Sequence, residues 1–221
     1  MIPVDVASVG FGVDLVDPLL PGCGPDDVHD ILRMMSVAGV PCWVDGGWGV
    51  DALLTIQTRP HRDLDLALPT RCWGSAVSAL ESEGFGLVRD DGVFNQVFAD
   101  SRGRVVDLHS FDDEVVVVDA DGVRRHGPNG LAYEAGGFGP LGLGRIAGRP
   151  VQCMTAQFQV RSHTGYVVDA EDHADVSLLC QRFGIPMPSD YASFEALLIG
   201  GTATLPAVPA APPTVGTSYD C

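Results

Sequence analysis

Basic residues are scarce in this chain: 13 Lys+Arg stand against 29 Asp+Glu, for a formal net charge of −16. A surface of that sign repels nucleic-acid backbones and anionic lipid, so neither nucleic acid nor membrane is an expected partner. It attracts cationic small molecules, although an acidic surface serving only solubility accounts for the same number. The six cysteines, at positions 23, 42, 72, 153, 180 and 221, include no CxxC pair and no regular spacing, and several lie in apolar contexts such as "LLCQRF" and "VPCWV". They are expected to be reduced thiols of a cytoplasmic protein. The N-terminal stretch lacks a basic region and carries Asp5 and Asp14. No run reaches the ~18 apolar residues of a membrane span, so neither export nor anchoring is expected.

The 221 residues, 46% of them hydrophobic, suffice for one large domain or two small ones. "PDDVHDILRMMSVAG" predicts a first helix, with Pro25 and acids at its start, Val28, Ile31, Leu32 and Met35 at helical spacing, and Gly39 as the stop. "VPCWVDGG" predicts a short buried strand ending on a glycine pair, and "WGVDALL" a helix beginning after that turn. "TIQTRPHR" is a loop, "DLDLALP" a strand, and "CWGSAVSALESEGF" a helix closed by Gly84. "GLVRDDGVFNQVFAD", "RGRVVDLHSFD" and "VVVVDADGVRRHG" follow as strands, with Asp-Gly hairpin turns at 91–92 and 121–122. The glycine-dense 127–150 suits an ordered loop leading into a short strand, or a flexible connector. "TAQFQVRSHTGY" and "DAEDHADVSLLCQRFG" predict C-terminal helices, the second capped by Asp169 or Asp172 and ended by Gly184.

Two carboxylates stand inside one of these apolar strands. Asp63 and Asp65 alternate with Leu64 and Leu66, so both acids project from one face. Unpaired, they would repel and desolvate at considerable cost, and a proton or bound cation is the usual remedy. The glycine turn at Gly46 and Gly47 feeds a helix start, where unpaired N–H groups and the positive end of the helix dipole suit a polyphosphate. Asp63 and Asp65 then fit Mg²⁺ bridging phosphate oxygens. Asp107, in "VVDLH", fits a further metal ligand or the base that takes a proton from an attacking hydroxyl. Asp45 and Asp51 suit helix capping or a first helical turn better than metal binding, and Trp43 and Trp48 suit packing better than base stacking.

These parts, in this order, resemble the nucleotidyltransferase superfamily with the DNA polymerase β-like palm. "WVDGGWGVDALL", "TRPHRDLDLAL" and "VVDLH", taken with "GRIAGRPVQC", "HTGY" and "DHADVSLLCQRFG", resemble the family of lincosamide nucleotidyltransferases and aminoglycoside 2″-adenylyltransferases over roughly residues 27–188. The resemblance implies an α/β (α+β) fold, a mixed palm sheet extended by a hairpin and C-terminal helices. It implies an N-terminal extension over 1–24, a nucleotidyltransferase core over 25–115, an acceptor-binding region over 116–190, and an Ala/Pro-rich tail over 191–221 expected to be disordered.

Carried over by position, the resemblance makes Gly46 and Gly47 the phosphate-binding glycines, Asp63 and Asp65 the metal-binding acids, and Asp107 a third metal ligand and general base. Arg59 and Arg62 are expected near the nucleotide, in the same loop as His61. His109, two residues after Asp107 and so on the same strand face, is expected with His163 and Tyr166 at the acceptor. The implied activity is Mg²⁺-dependent transfer of a nucleoside monophosphate, AMP from ATP or the equivalent from another NTP, to a hydroxyl of a small, cationic antibiotic, with release of pyrophosphate. The family also admits a homodimer. A protein side chain as the AMP acceptor, and a non-catalytic binding protein of the same fold, are the rival expectations.

Overall fold

The computed structural model describes residues 22–92, 95–118, 120, 122–126, 137 and 142–191. The chain divides into two compact units, one running to Gln159 and the other from Val160. The expectations for the N-terminal extension before residue 22 and for the tail after Tyr191 lie outside the described residues.

Helix α1 (Pro25–Val37) starts where expected. Proline holds its first position, Asp26 and Asp27 face the dipole, and the Asp27 carboxylate accepts from Gly24 N at 3.0 Å. Val28, Ile31 and Met35 are buried, and Gly39 at φ +70° turns the chain away. Strand β1 is only Trp43–Val44. Helix α2 (Gly46–Leu54) begins one residue after Asp45, so both glycines form its first turn instead of preceding it. The Asp45 carboxylate accepts from Gly46 N at 2.9 Å and ends the strand there.

Strands β2 (Leu64–Pro69), β3 (Gly86–Asp90), β4 (Asn95–Ala99) and β5 (Val105–Phe111) complete a mixed five-stranded sheet in the order β1-β2-β5-β4-β3. Only β2 and β5 run parallel, and the chain makes that crossover through α3 (Trp73–Ser82) and the β3–β4 hairpin. In the turn before β5, the Asp100 carboxylate accepts from Arg104 N at 3.0 Å and Arg104 Nε at 2.7 Å, and the Arg104 guanidinium lies over the Phe85 ring. Leu64, Leu66, Leu68, Val106 and Leu108 are fully buried, while Ala67, Phe111, Met154 and Phe158 form a cluster capped by Trp43. Trp48 is buried and Trp43 partly so, and both are packing residues.

Strands β6 (Val116–Val118) and β7 (Arg124–His126) form the expected hairpin. Most of the glycine-dense stretch lies outside the described residues, and it ends in a hairpin, β8 (Leu143–Ile146) and β9 (Arg149–Gln152), where a single strand was expected. Ala147 at φ +48° and Gly148 at φ +77° make its tight turn. A Cβ on Gly144 would collide with the Ala52 carbonyl, so glycine is what lets β8 lie against α2.

Helix α4 (Ala156–Ser162) leads into the second unit, whose main element is α5 (Ala170–Phe183). Asp169 caps α5, accepting from Glu171 N and Asp172 N, while the Asp172 carboxylate accepts from Asp169 N, and Gly184 at φ +67° ends it. Among the described residues no helix is long and apolar enough to cross a membrane.

Candidate active site

The parallel register of β2 and β5 pairs Asp65 with Asp107 and Ala67 with His109. Side chains two apart on a strand share a face, so Asp65, Asp107 and His109 converge on one side of the sheet. Their ligand atoms all lie within 4.8 Å of one another. His109 Nε2 lies 3.3 Å from Asp65 Oδ1 and 3.6 Å from Asp107 Oδ1. Asp63 stands one residue ahead of β2, outside that trio but near enough to feel both acids.

The crowding and burial raise the proton affinities of the acids. Burial, reinforced by the charges of Asp65 and Asp107, pushes Asp63 up to about 7. Burial pushes Asp107 up to about 6, with Asp65 adding to it while His109, Arg89 and Asn95 pull the other way. Burial lowers the His109 value, and the Asp65 hydrogen bond and the Asp107 charge more than reverse that, to about 9. Several carboxylates crowded together in a partly buried site are a hard oxygen donor set, and the residues present therefore fit a divalent cation such as Mg²⁺.

The two glycines are spatially necessary. Gly46 has φ +56°, and a Cβ there would overlap the Asp65 carboxylate. A Cβ on Gly47 would run into the His61 ring and crowd Arg59. The first turn of α2 thus lies directly against Asp65, and Asp45 N donates to the Asp65 carbonyl at 3.0 Å.

The loop between α2 and β2 is tied down by Asp51, which stands in the middle of α2 and not, as expected, at its start. Its Oδ1 accepts from Thr58 N at 3.0 Å and Thr58 Oγ1 at 2.6 Å, and its Oδ2 accepts from His61 Nε2 at 2.5 Å. Asp51 and His61 are both buried, and the imidazole lies tilted against the Trp48 ring with centroids 4.6 Å apart. His61 is therefore the loop's anchor. Arg59 and Arg62 belong to the same loop, Arg62 exposed and Arg59 half-buried.

Two residues that sequence reasoning missed complete the arrangement. Asn95 on β4 pairs with His109 across the antiparallel register. Its Nδ2 lies 2.5 Å from Asp107 Oδ1 and 3.0 Å from His109 Nδ1, and its Oδ1 accepts from Arg89 at 3.1 Å. Arg89 also donates to Asp107 Oδ2 at 3.2 Å and to Asp91 Oδ2 at 2.8 Å. An amide nitrogen only donates, so His109 Nδ1 accepts and Nε2 carries the ring proton. The pull of the acids toward a second ring proton is opposed at Nδ1 by that amide, and the hydrogen-bond geometry decides for one. No sequence signal marks an asparagine at a strand start, because only cross-strand register places it here.

His163 and Tyr166 belong to the second unit, in the connection between α4 and α5. Tyr191 Oη donates to the His163 carbonyl at 2.6 Å, and Tyr166 Oη donates to Asp172 Oδ1 at 2.9 Å. Burial and the neighbouring Asp172 raise the Tyr166 phenol beyond its usual range.

The sequence profile of the aminoglycoside-2″-adenylyltransferase family matches residues 27–179. A lincosamide resistance protein of Staphylococcus haemolyticus is 24% identical over 151 residues, 67% of this chain and 89% of that protein. A 2″-aminoglycoside nucleotidyltransferase of Klebsiella pneumoniae is 30% identical over 129 residues, 57% of this chain and 64% of that protein. In three dimensions, a lincomycin-bound lincosamide antibiotic adenylyltransferase superposes with a TM-score of 0.58 at 23% identity, over 70% of this chain and 94% of that structure, which establishes a common nucleotidyltransferase fold. With residues 27–179, the greater part of its length, matched by that family, the chain belongs to the aminoglycoside-2″-adenylyltransferase family.

Proposed function

We propose that this protein transfers a nucleoside monophosphate, AMP from ATP, to a hydroxyl of a small antibiotic of the lincosamide or aminoglycoside class. The observation that carries the reading is the alignment of Asp65 with Asp107 on parallel strands, beside the glycine turn that opens α2. Family membership supports the reaction type. Relatives named for lincosamide resistance and for 2″-aminoglycoside nucleotidyl transfer support the two acceptor classes.

In this reading the first turn of α2, with Gly46 and Gly47, receives the phosphates on backbone N–H groups. Asp63, Asp65 and Asp107 hold Mg²⁺, which when bound supplies charge neutralisation at the phosphate being transferred. Asp107 takes the proton of the acceptor hydroxyl, whose oxygen attacks the α-phosphorus as the bond to the departing pyrophosphate breaks. His109 donates from Nε2 to Asp65 and holds that carboxylate in place. All 13 basic residues are arginines, so protein cations at the phosphates come from arginine, and Arg59 and Arg62 stand in the adjoining loop. A formal charge of −16 favours an acceptor bearing amines. The protein acts in the cytoplasm, where NTP is available, and a homodimer is compatible with this role.

Mass spectrometry of lincomycin, clindamycin and a panel of aminoglycosides, each incubated with the protein, Mg²⁺ and each NTP, tests the reading. A gain of one nucleoside monophosphate on one drug class is expected. No gain on any drug, with Mg·ATP still bound, would move the acceptor elsewhere, and AMP-labelled protein bands in a lysate would point to a protein side chain.

A further inference from the structure

Two residues from β3 and β4, Arg89 and Asn95, grip Asp107. Asn95 has one amide nitrogen facing both Asp107 Oδ1 and His109 Nδ1, and one amide oxygen facing Arg89. That orientation is the one the surroundings allow. Turned over, the amide would set its oxygen against the Asp107 carboxylate and its nitrogen against the Arg89 guanidinium, a repulsion at each end. Arg89 bridges Asn95 and Asp107 and so fixes both.

The consequence falls on His109. With Nδ1 accepting from Asn95, the ring proton sits on Nε2, the atom facing Asp65 and Asp107. An imidazole so arranged donates to the carboxylates and has no lone pair to offer there. In the other tautomer, Nε2 would join Asp65 and Asp107 as a nitrogen ligand within the same 4.8 Å cluster. A mixed oxygen and nitrogen donor set selects softer transition metals over Mg²⁺, and a metal-binding histidine donates its other N–H to an acceptor, which the Asn95 amide nitrogen is not.

We propose, resting on the reading above, that Asn95, locked by Arg89, is a positioning residue that holds Asp107 in place and keeps His109 an N–H donor to the carboxylates instead of a metal ligand. Asn95→Ala removes both contacts, whereas Asn95→Asp substitutes an acceptor of the same shape that draws the ring proton to Nδ1.

The test is ¹⁵N NMR of histidine-labelled protein, with the His109 signals assigned by their loss in His109→Gln, alongside kinetics and Co²⁺ and Mg²⁺ titrations followed by calorimetry. In the unsubstituted protein with Mg²⁺, the proton is expected on Nε2. In Asn95→Ala, kcat is expected to fall by about 10- to 100-fold with KM for ATP nearly unchanged, the range typical for partners of a metal site. In Asn95→Asp, the proton is expected on Nδ1, and Co²⁺ should gain on Mg²⁺ by roughly 10-fold in relative affinity. Thermal melting confirms that the variants fold. A proton on Nδ1 in the unsubstituted protein, alone or together with one on Nε2, or full kcat in Asn95→Ala, overturns the proposal. If the unsubstituted protein modifies no acceptor, the transfer reading fails by itself, and the tautomer and metal preference still judge Asn95.

Discussion

Asp65 and Asp107 are register partners on adjacent parallel strands, and His109 Nε2 lies within 3.6 Å of a carboxylate oxygen of each. A sheet position that would ordinarily hold two apolar side chains holds two acids and an imidazole. Such a concentration of charge is unfavourable in isolation and favourable once a cation shares it. The first consequence is catalytic. Asp65→Asn and Asp107→Asn should each lower nucleotidyl transfer by roughly 100-fold or more while leaving the circular dichroism spectrum unchanged. Turnover near the unsubstituted rate in either variant would remove these carboxylates from the mechanism.

The same crowding makes the metal-free protein sensitive to pH. Asp63 and Asp107 have folded values raised to about 7 and about 6, so their contribution to stability is present below the ordinary carboxylate value near 4 and is lost as pH rises through those values. Both act in one direction. In EDTA, Tm should fall between pH 5 and pH 8, and Mg²⁺ should raise Tm more at pH 8 than at pH 6; scanning calorimetry at both pH values, with and without the ion, checks this.

Gly46 cannot be enlarged without moving Asp65. Gly46→Ala forces a side chain into a φ of +56°, at a cost of about 1–2 kcal/mol, and drives its methyl into the Asp65 carboxylate. Mg²⁺ affinity measured by calorimetry should drop together with activity. Gly84→Ala, also at positive φ but with open space around it, should cost stability without touching Mg²⁺ binding.

The Asp51–His61 link predicts a structural effect that reaches the site. His61→Ala leaves a buried carboxylate oxygen without its partner, which costs about 1–3 kcal/mol. Chemical denaturation should register that loss, and hydrogen exchange should rise over residues 55–62, the loop that Asp51 holds through Thr58 and His61.

Cysteine chemistry offers an independent check on the core. Burial raises the thiols of Cys23, Cys42 and Cys153 to about 12. Cys72 is only half-buried. Brief treatment with iodoacetamide at pH 8, followed by peptide mass spectrometry, should label Cys72 well before those three. Rapid labelling of Cys42 would contradict the packing of β1.

Local chemistry was enough to locate α1, α3 and α5, because each carries its own punctuation: Pro25 and Gly39, Gly84, and the Asp169 cap with Gly184. The same local rules misplaced two features. Glycine is a poor helix former, so the sequence places the glycine pair before α2, yet Asp45 caps one residue earlier and packing against Asp65 leaves no room for a Cβ. Asp51 looked like a residue of the helix start, because the sequence does not show that the next loop folds back to present Thr58 and His61 to it.

From the sequence by itself came the elements, the acids at alternating positions and the family, since periodicity, capping and motif order are properties of residues near one another in the chain. Only the tertiary structure decided which acids meet and what holds them. Asp65 and Asp107 are 42 residues apart and become neighbours through a parallel crossover, while Arg89 and Asn95 reach Asp107 through an antiparallel register. Strand register is a long-range choice made by burial of whole faces at once, and no short stretch of sequence contains it.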